Sequence, residues 1–450
     1  MKSHLTIYFL LLVTFSFAQH SQTHWKSELN FGDGISMITF LKVTKTDNHF
    51  TITSSKNADI RMFGFFKARF GRLLGRLPKK GVFITINGIQ KGDSLFGNVK
   101  MPMFDKIKFK GFLKNDLFSG EIIKNDTIKV GNITSVKTNE NQINYEYLYP
   151  KTLKITENNI YSKKVLKTKK WKKFNKKIKH LFANAQDDIE LFLGFNTLSA
   201  NLPFSHYNLT IKNDNKKNND NNKINDSAII FKEEKNNTAY LKIKDFISSQ
   251  NELATILPKI VENKYKNLII DLRNNGGGGV APAFELAKFI VNKTVNVGYF
   301  VTNKLKYSGY NPKLFETLPK VKPKTTKEFL TILKKGKGAK LIFSKSNEPI
   351  FLGNLYVLTN KYTGSTCEPI VYLLKTNKRA TIIGENTAGA MLSATFFDID
   401  KKYKLFLPIA DFYTYDGVRL EGLGVKPNIE TTSDEALDKA LSIIKERENK

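Results

Sequence analysis

The run LYVLTNKYTGSTCEPIVYLLK, residues 355–375, puts a hydroxyl, Ser365, and the chain's only thiol, Cys367, on one turn between two apolar stretches. A thiolate at a helix N-terminus is activated by the aligned peptide dipoles. A serine there works as a nucleophile only when a neighbouring base takes its proton. Pro369 fixes a helix start close by, so a third reading makes Ser365 a helix cap. Taken alone, the run favours the cap. A second stretch with chemical content is NLIIDLRNNGGGG, residues 267–279, where an apolar strand runs into four glycines. Such a run is costly in backbone entropy, so something should need it. A phosphate cradle is one use, but the Lys-Ser/Thr of a P-loop is missing and the dinucleotide spacing fits poorly. The others are a turn whose amides face a developing oxyanion, or a plain flexible loop.

A serine nucleophile requires a base, and beyond a leader the chain holds five histidines: His20, His24, His49, His180 and His206. The first two fall in an expected frayed terminus, His49 in a polar turn and His180 in a lysine-rich helix. His206, in LPFSHYNL, stands between apolar groups with Ser205 before it. Its plainer reading is a structural histidine at the end of a helical hairpin.

Four segments in fixed order carry a resemblance: DLRNNGGGG (271–279), LTNKYTGSTCE (358–368), IIGENTAGA (382–390) and DGVRLEGLGVKPN (416–428). Together they resemble the S41 peptidases, which include the C-terminal processing proteases, the tricorn core protease and the retinoid-binding interphotoreceptor protein. The likeness covers roughly residues 165–445 and does not reach the N-terminal region. It implies an α/β core of the ClpP/crotonase-like sandwich type and no metal or cofactor. It also implies that Ser365, three residues before Glu368, is the nucleophile. The processing proteases pair that serine with a lysine 25 residues later, where this chain has Ala390. The tricorn type instead uses a Ser-His pair and a glutamate, which correspond to Ser205, His206 and Glu421. The implied roles are attack by Ser365, general base His206, Ser205 bonded to His206, and Glu421 orienting that relay. Gly277 and Thr366 would donate the oxyanion amides, and Cys367 becomes a small buried bystander. Many relatives carry a PDZ domain after the helical part. Here only an Asn/Lys loop separates His206 from the strand AYLKI (239–243), which leaves no room for one. The expected activity is a serine endopeptidase acting on peptide or protein. The alternative is a catalytically inactive S41-like binding protein for a peptide or apolar ligand, as the retinoid-binding relatives illustrate.

The positioning elements read as follows. Residues 1–18 have a lysine, a short apolar run, and Ser16 and Ala18 at the −3 and −1 positions, the pattern of a secretory signal peptide. Cleavage after Ala18 would give a periplasmic or secreted protein. Residues 25–150 alternate polar and apolar in short runs between turn residues, predicting an antiparallel barrel or sandwich. Within them, 61–80 reads as a basic helix or long hairpin packed on the β domain. Residues 151–212 read as helical and carry the Ser-His pair. The loop 213–226, almost all Asn, Lys and Asp, reads as disordered. From 227 to 447 strands and helices alternate, predicting an α/β core. Thr432 and Glu435 suggest a capping box for the last helix.

The chain has 450 residues, 72 basic against 41 acidic, a net charge of +31. That charge favours weak adsorption to anionic surfaces. It is dispersed, however, and no zinc-finger spacing or RNA-binding aromatic motif accompanies it, which argues against nucleic acid as partner. One cysteine allows no internal disulfide, and the oligomeric state is not legible.

Overall fold

The computed structural model describes residues 21–32, 34–54, 84–101, 104–213, 227–345 and 350–449. The expected leader, the segment 61–80 and all but the first residue of the 213–226 loop lie outside the described residues. The chain divides into two compact units, residues 1–144 with 184–191, and residues 145–183 with 192–450.

The first unit is a closed antiparallel barrel. Its strands are β1 (Ser21–Phe31), β2 (Ser36–Thr46), β3 (His49–Ser54), β4 (Thr85–Lys91), β5 (Ser94–Met101), β6 (Phe104–Lys114), β7 (Leu117–Lys124) and β8 (Ile128–Lys137). β1 pairs β8 as well as β2, and so closes the ring. Two-residue turns join β2 to β3 and β6 to β7, with Asp47 and Asn115 both at φ +52. Mirror-image turns of this kind match strand twist and favour Asn, Asp and Gly. Alternation sends Trp25, Val43, Ile52, Ile86 and Phe118 into the interior. His24, expected in a frayed terminus, lies inside β1 opposite Lys42, because closure needs a strand between β2 and β8. The segment 184–191 is pinned to β2: Thr39 Oγ1 donates to Asp187 at 2.7 Å and the Ile38 amide to Asp188 at 2.6 Å.

The second unit carries α1 (Leu148–Asn159), α2 (Lys169–Asn184) and α3 (Asp188–Ser199, from Phe192 onward in this unit), then β9 (Asn208–Ile211). In KKWKKFNKKIKHLFAN the apolar residues recur at helical spacing, so α2 buries Trp171, Phe174, Ile178 and Leu181 while its lysines face water. Residues 208–211, expected as part of a helical segment, form a strand that pairs antiparallel with Tyr403–Phe406.

Alternation of strand and helix follows: β10 (Ile229–Glu234), β11 (Thr238–Ile243), α4 (Gln250–Glu262), β12 (Asn267–Asp271), α5 (Val280–Ile290), β13 (Val295–Thr302), α6 (Pro312–Phe315), β14 (Lys320–Val321), α7 (Thr326–Lys335) and β15 (Gly338–Phe343). The chain then runs through β16 (Asn354–Thr359), α8 (Cys367–Thr376), β17 (Ala380–Gly384), β18 (Ser393–Asp398), β19 (Tyr403–Thr414), β20 (Ile429–Glu430) and α9 (Ala436–Glu448).

One sheet has the order β10-β11-β12-β16-β17-β20, parallel from β11 onward. The other runs β14-β15-β13-β19-β18, with β9 on β19. Burial on both faces explains the unbroken apolar run of β12. Leu268 and Ile270 join the main core, while Ile269 packs under α9 with Tyr356 and Ala440.

β12 ends on a buried ion pair. Arg273 Nε and Nη2 donate to the two oxygens of Asp271 at 2.9 and 2.7 Å, and the Tyr240 hydroxyl donates at 2.6 Å. Burial pushes the Asp271 carboxyl up, but these donors outweigh it and its pKa falls below the ordinary value. A depressed carboxylate pKa stabilises the fold above the unfolded pKa, and that contribution fades as pH falls through the folded one. Arg273→Met is expected to lower unfolding free energy by about 3–5 kcal/mol at neutral pH. Denaturant midpoints should show that deficit shrinking once acid protonates Asp271.

Candidate active site

The turn that carries Ser365 lies between β16 and α8. Its Gly364 amide donates to the Asn275 carbonyl at 3.0 Å, and the Glu368 amide to the Ser365 carbonyl at 2.9 Å. Ser365 itself stands at φ +53, a left-handed conformation costly for any residue with a Cβ and commonest at functional sites. Cys367 is fully buried below it with Sγ 3.5 Å from the Asn275 carbonyl. Burial holds that thiol well above its ordinary pKa, so it stays protonated and out of reach of solvent.

The glycine run after β12 is packed on this turn. A Cβ on Gly277, which has φ +93, would fall 2.7 Å from Ser365 Cβ and 2.8 Å from the Gly364 carbonyl oxygen. Only glycine fits there. The Gly277 amide donates to Asn275 Oδ1 at 2.9 Å and so points inward. Among the described residues, no protein acceptor meets the amides of Gly278 or Thr366. Asn275 is the residue that sequence reasoning passed over. Fully buried, it bonds the Ile243 carbonyl through Nδ2 and joins both loops. Its only signal was a polar side chain between an apolar-centred strand and the glycine run.

His206 is held by its neighbours. Phe204 and Tyr207 flank the Ser205-His206 pair and pack on Trp171 of α2, with ring centroids 6.4 and 5.7 Å away. The Tyr207 hydroxyl bonds Thr156 Oγ1 at 2.8 Å. Pinned on both sides, His206 takes φ +63. Glu421 accepts from the Ser205 amide at 2.7 Å, from Ser205 Oγ at 3.0 Å and from the Met391 amide at 2.7 Å. Ser205 Oγ also lies 2.6 Å from His206 Nδ1. A hydroxyl has one proton, and this one goes to Glu421, so Nδ1 must donate to Ser205. The neutral ring therefore carries its proton on Nδ1 and its lone pair on Nε2. Burial lowers the imidazole pKa to about 4, which keeps the ring neutral at physiological pH. Burial also raises Glu421, against the donors that favour its charged form.

Ser365 and His206 line one cavity of about 500 Å³. No hydrogen bond joins them among the described residues; the relay from Glu421 stops at the imidazole. Contacts of this kind often tighten only when substrate is present. Glu368, named by its spacing from Ser365 but given no role, accepts four bonds. Thr387 Oγ1 donates at 2.6 Å, and the amides of Gly389, Ala390 and Ser365 donate at 2.7, 2.9 and 3.1 Å. Burial raises its carboxyl to about 6 despite these donors. Position 390 thus contributes a backbone amide where the processing proteases have a lysine side chain. Among the described residues, no group of three or more His, Cys, Asp or Glu is arranged to hold a metal ion. No helix there is long and apolar enough to cross a membrane.

A hydroxyl on a strained turn, a neutral imidazole and a buried carboxylate around one cavity are equipped for acyl transfer, the chemistry of a hydrolase. Residues 237–431, a little under half of the chain, match the model of Peptidase family S41. The chain is 23% identical over 198 residues to the chloroplastic C-terminal processing peptidase of Tetradesmus obliquus, covering 44% of this chain and 35% of that protein. To the carboxy-terminal-processing protease of Bartonella bacilliformis it is 27% identical over 186 residues, covering 41% and 36%. The chain thus spans about a third of the length of the curated relatives it matches. Among solved structures, the photosystem II D1 C-terminal processing protease is similar at 14% identity and a TM-score of 0.41, over 65% of this chain and 94% of that one.

The tautomer argument has a direct check. An NMR pH titration of the His206 ring is expected to show a midpoint near 4, far below the usual 6.5, and an Nδ1-protonated neutral form at pH 7.

Proposed function

We propose that the chain is a serine endopeptidase in which Ser365 attacks the peptide carbonyl and His206 acts as general base. The observation that carries this reading is the Glu421–Ser205–His206 relay, which leaves Nε2 unprotonated in the cavity that Ser365 also lines. Ser365 Oγ bonds to the carbonyl carbon as its proton passes to Nε2, and the carbonyl π pair moves onto oxygen. The amides of Thr366 and of a glycine donate to that oxyanion. Gly277 is the donor expected from the family's pattern, and the unengaged amide of Gly278 supports it as the partner instead. Collapse breaks the C–N bond, and the leaving amine takes the proton from Nε2. Water then repeats the cycle on the acyl-enzyme. Ser205 and Glu421 hold the ring's tautomer and stabilise the imidazolium. The substrate backbone runs beside β18, an edge strand whose Ser393 and Ala394 line the cavity, as an added strand.

We read the two-sheet core as a variant of the ClpP/crotonase-like sandwich, with no PDZ domain between β9 and β10. The pattern of residues 1–18 supports action outside the cytoplasm.

Fluorophosphonate labelling of the full chain tests the assignment. Wild type should label, Ser365→Ala should not, and His206→Ala should slow labelling by about 10²–10⁴-fold. Labelling that survives in Ser365→Ala would move the nucleophile elsewhere. A folded wild type that fails to label would favour the alternative of a binding protein for a peptide or apolar ligand.

A further inference from the structure

The cavity beside Ser365 is asymmetric. On one side it opens at the connection after β11, where Lys244 and Asp245 lead to Ile247, which is 82% exposed. Asp245 is already committed there, accepting from the Ile247 and Ser248 amides at 2.7 and 2.9 Å. On the other side the wall is apolar and largely aromatic, built from α5, α7 and the strands β13 and β15. Two edge-to-face pairs form it: Phe284 with Phe343 at 4.8 Å and Phe300 with Phe329 at 4.9 Å. Ala283 on α5 and Leu330 on α7 complete the lining. Thr326, which also lines the cavity, has its Oγ1 already accepting from the Val280 amide at 3.2 Å.

Resting on the catalytic reading above, we infer that this wall selects the substrate: the residue whose carbonyl is attacked buries a large apolar side chain there, such as Phe, Leu or Met. A charged side chain would lose its water with no partner to replace it. A small one would leave the half-buried Phe284 and Leu330 uncovered and the cavity unfilled, forfeiting burial of that apolar surface. Ala283 decides the depth. It is the small residue among the four phenylalanines, 3% exposed, and any larger side chain there occupies space the substrate needs.

The test uses the full chain and a set of peptidyl diphenyl phosphonates that differ only in the side chain at this position: Ala, Leu, Phe or Lys. Ser365 attacks phosphorus and phenol leaves, so the labelling rate reports how each side chain is accepted. Wild type is expected to react with the Phe and Leu probes about 100-fold faster than with Ala, and slowest with Lys. In Ala283→Leu the Phe:Ala ratio should fall at least about tenfold. The ratio is measured within one preparation, so partial misfolding cancels. Leu330→Trp narrows the same space from a half-exposed position and should lower the ratio in the same direction. A wild type preferring Ala or Lys, or a ratio unmoved in both variants, overturns the inference while leaving the nucleophile intact. A wild type unreactive to every probe, and to a small fluorophosphonate, overturns the catalytic reading and this inference with it.

Discussion

Three consecutive amides set the geometry of the site. Gly389 and Ala390 donate to Glu368, which in turn holds the Ser365 amide, while the next amide, Met391, donates to Glu421, which holds Ser205. The Ser365 turn and the Ser205-His206 pair come from segments 160 residues apart (365 minus 205), yet they are tethered to adjacent peptide groups. Both tethers end in buried carboxylates, whose bonds to N–H donors are shorter and stronger than neutral ones. A backbone segment cannot stretch, so the spacing of the two chemical groups is inherited from covalent geometry.

The rest of the unit keeps that arrangement from yielding. Asn275 binds the glycine turn to the Ser365 turn from beneath, and the Asp271–Arg273 pair fixes the end of the strand that leads into the glycine turn. On the opposite side, aromatic packing around Tyr207 leaves His206 no relaxed backbone conformation. The chemistry is polar, but its precision comes from apolar burial and from glycine at one crowded position.

Much of this was legible in the residues and some was not. The α/β alternation after residue 227 could be read because buried strands and amphipathic helices leave opposite periodicities, as in NLIID and ELATILPKIVE. Ser365, His206, Ser205 and Glu421 could be named only because the four motifs resemble a family. Their own local contexts favoured a helix cap and a structural histidine. β9 was missed because NLTI is four residues long and its partner lies almost 200 residues away. The inward turn of the Gly277 amide was also invisible, since it depends on the rotamer of Asn275. Closure of the N-terminal strands into a barrel depends on β1 pairing both of its neighbours, a long-range fact that alternation does not encode.

Ser365 and His206 share one further property: each is a non-glycine residue in the left-handed region, at φ +53 and +63. Such conformations cost on the order of 1–3 kcal/mol apiece. Replacement of either by glycine or asparagine would relieve strain while removing the chemistry. Loss of either side chain is therefore offset in part by relief of backbone strain. The amides that Glu368 and Glu421 hold at Ser365 and Ser205 are backbone groups, so exchange at either strained position leaves the tethers and the aromatic cavity in place: the fold holds these two side chains without depending on them.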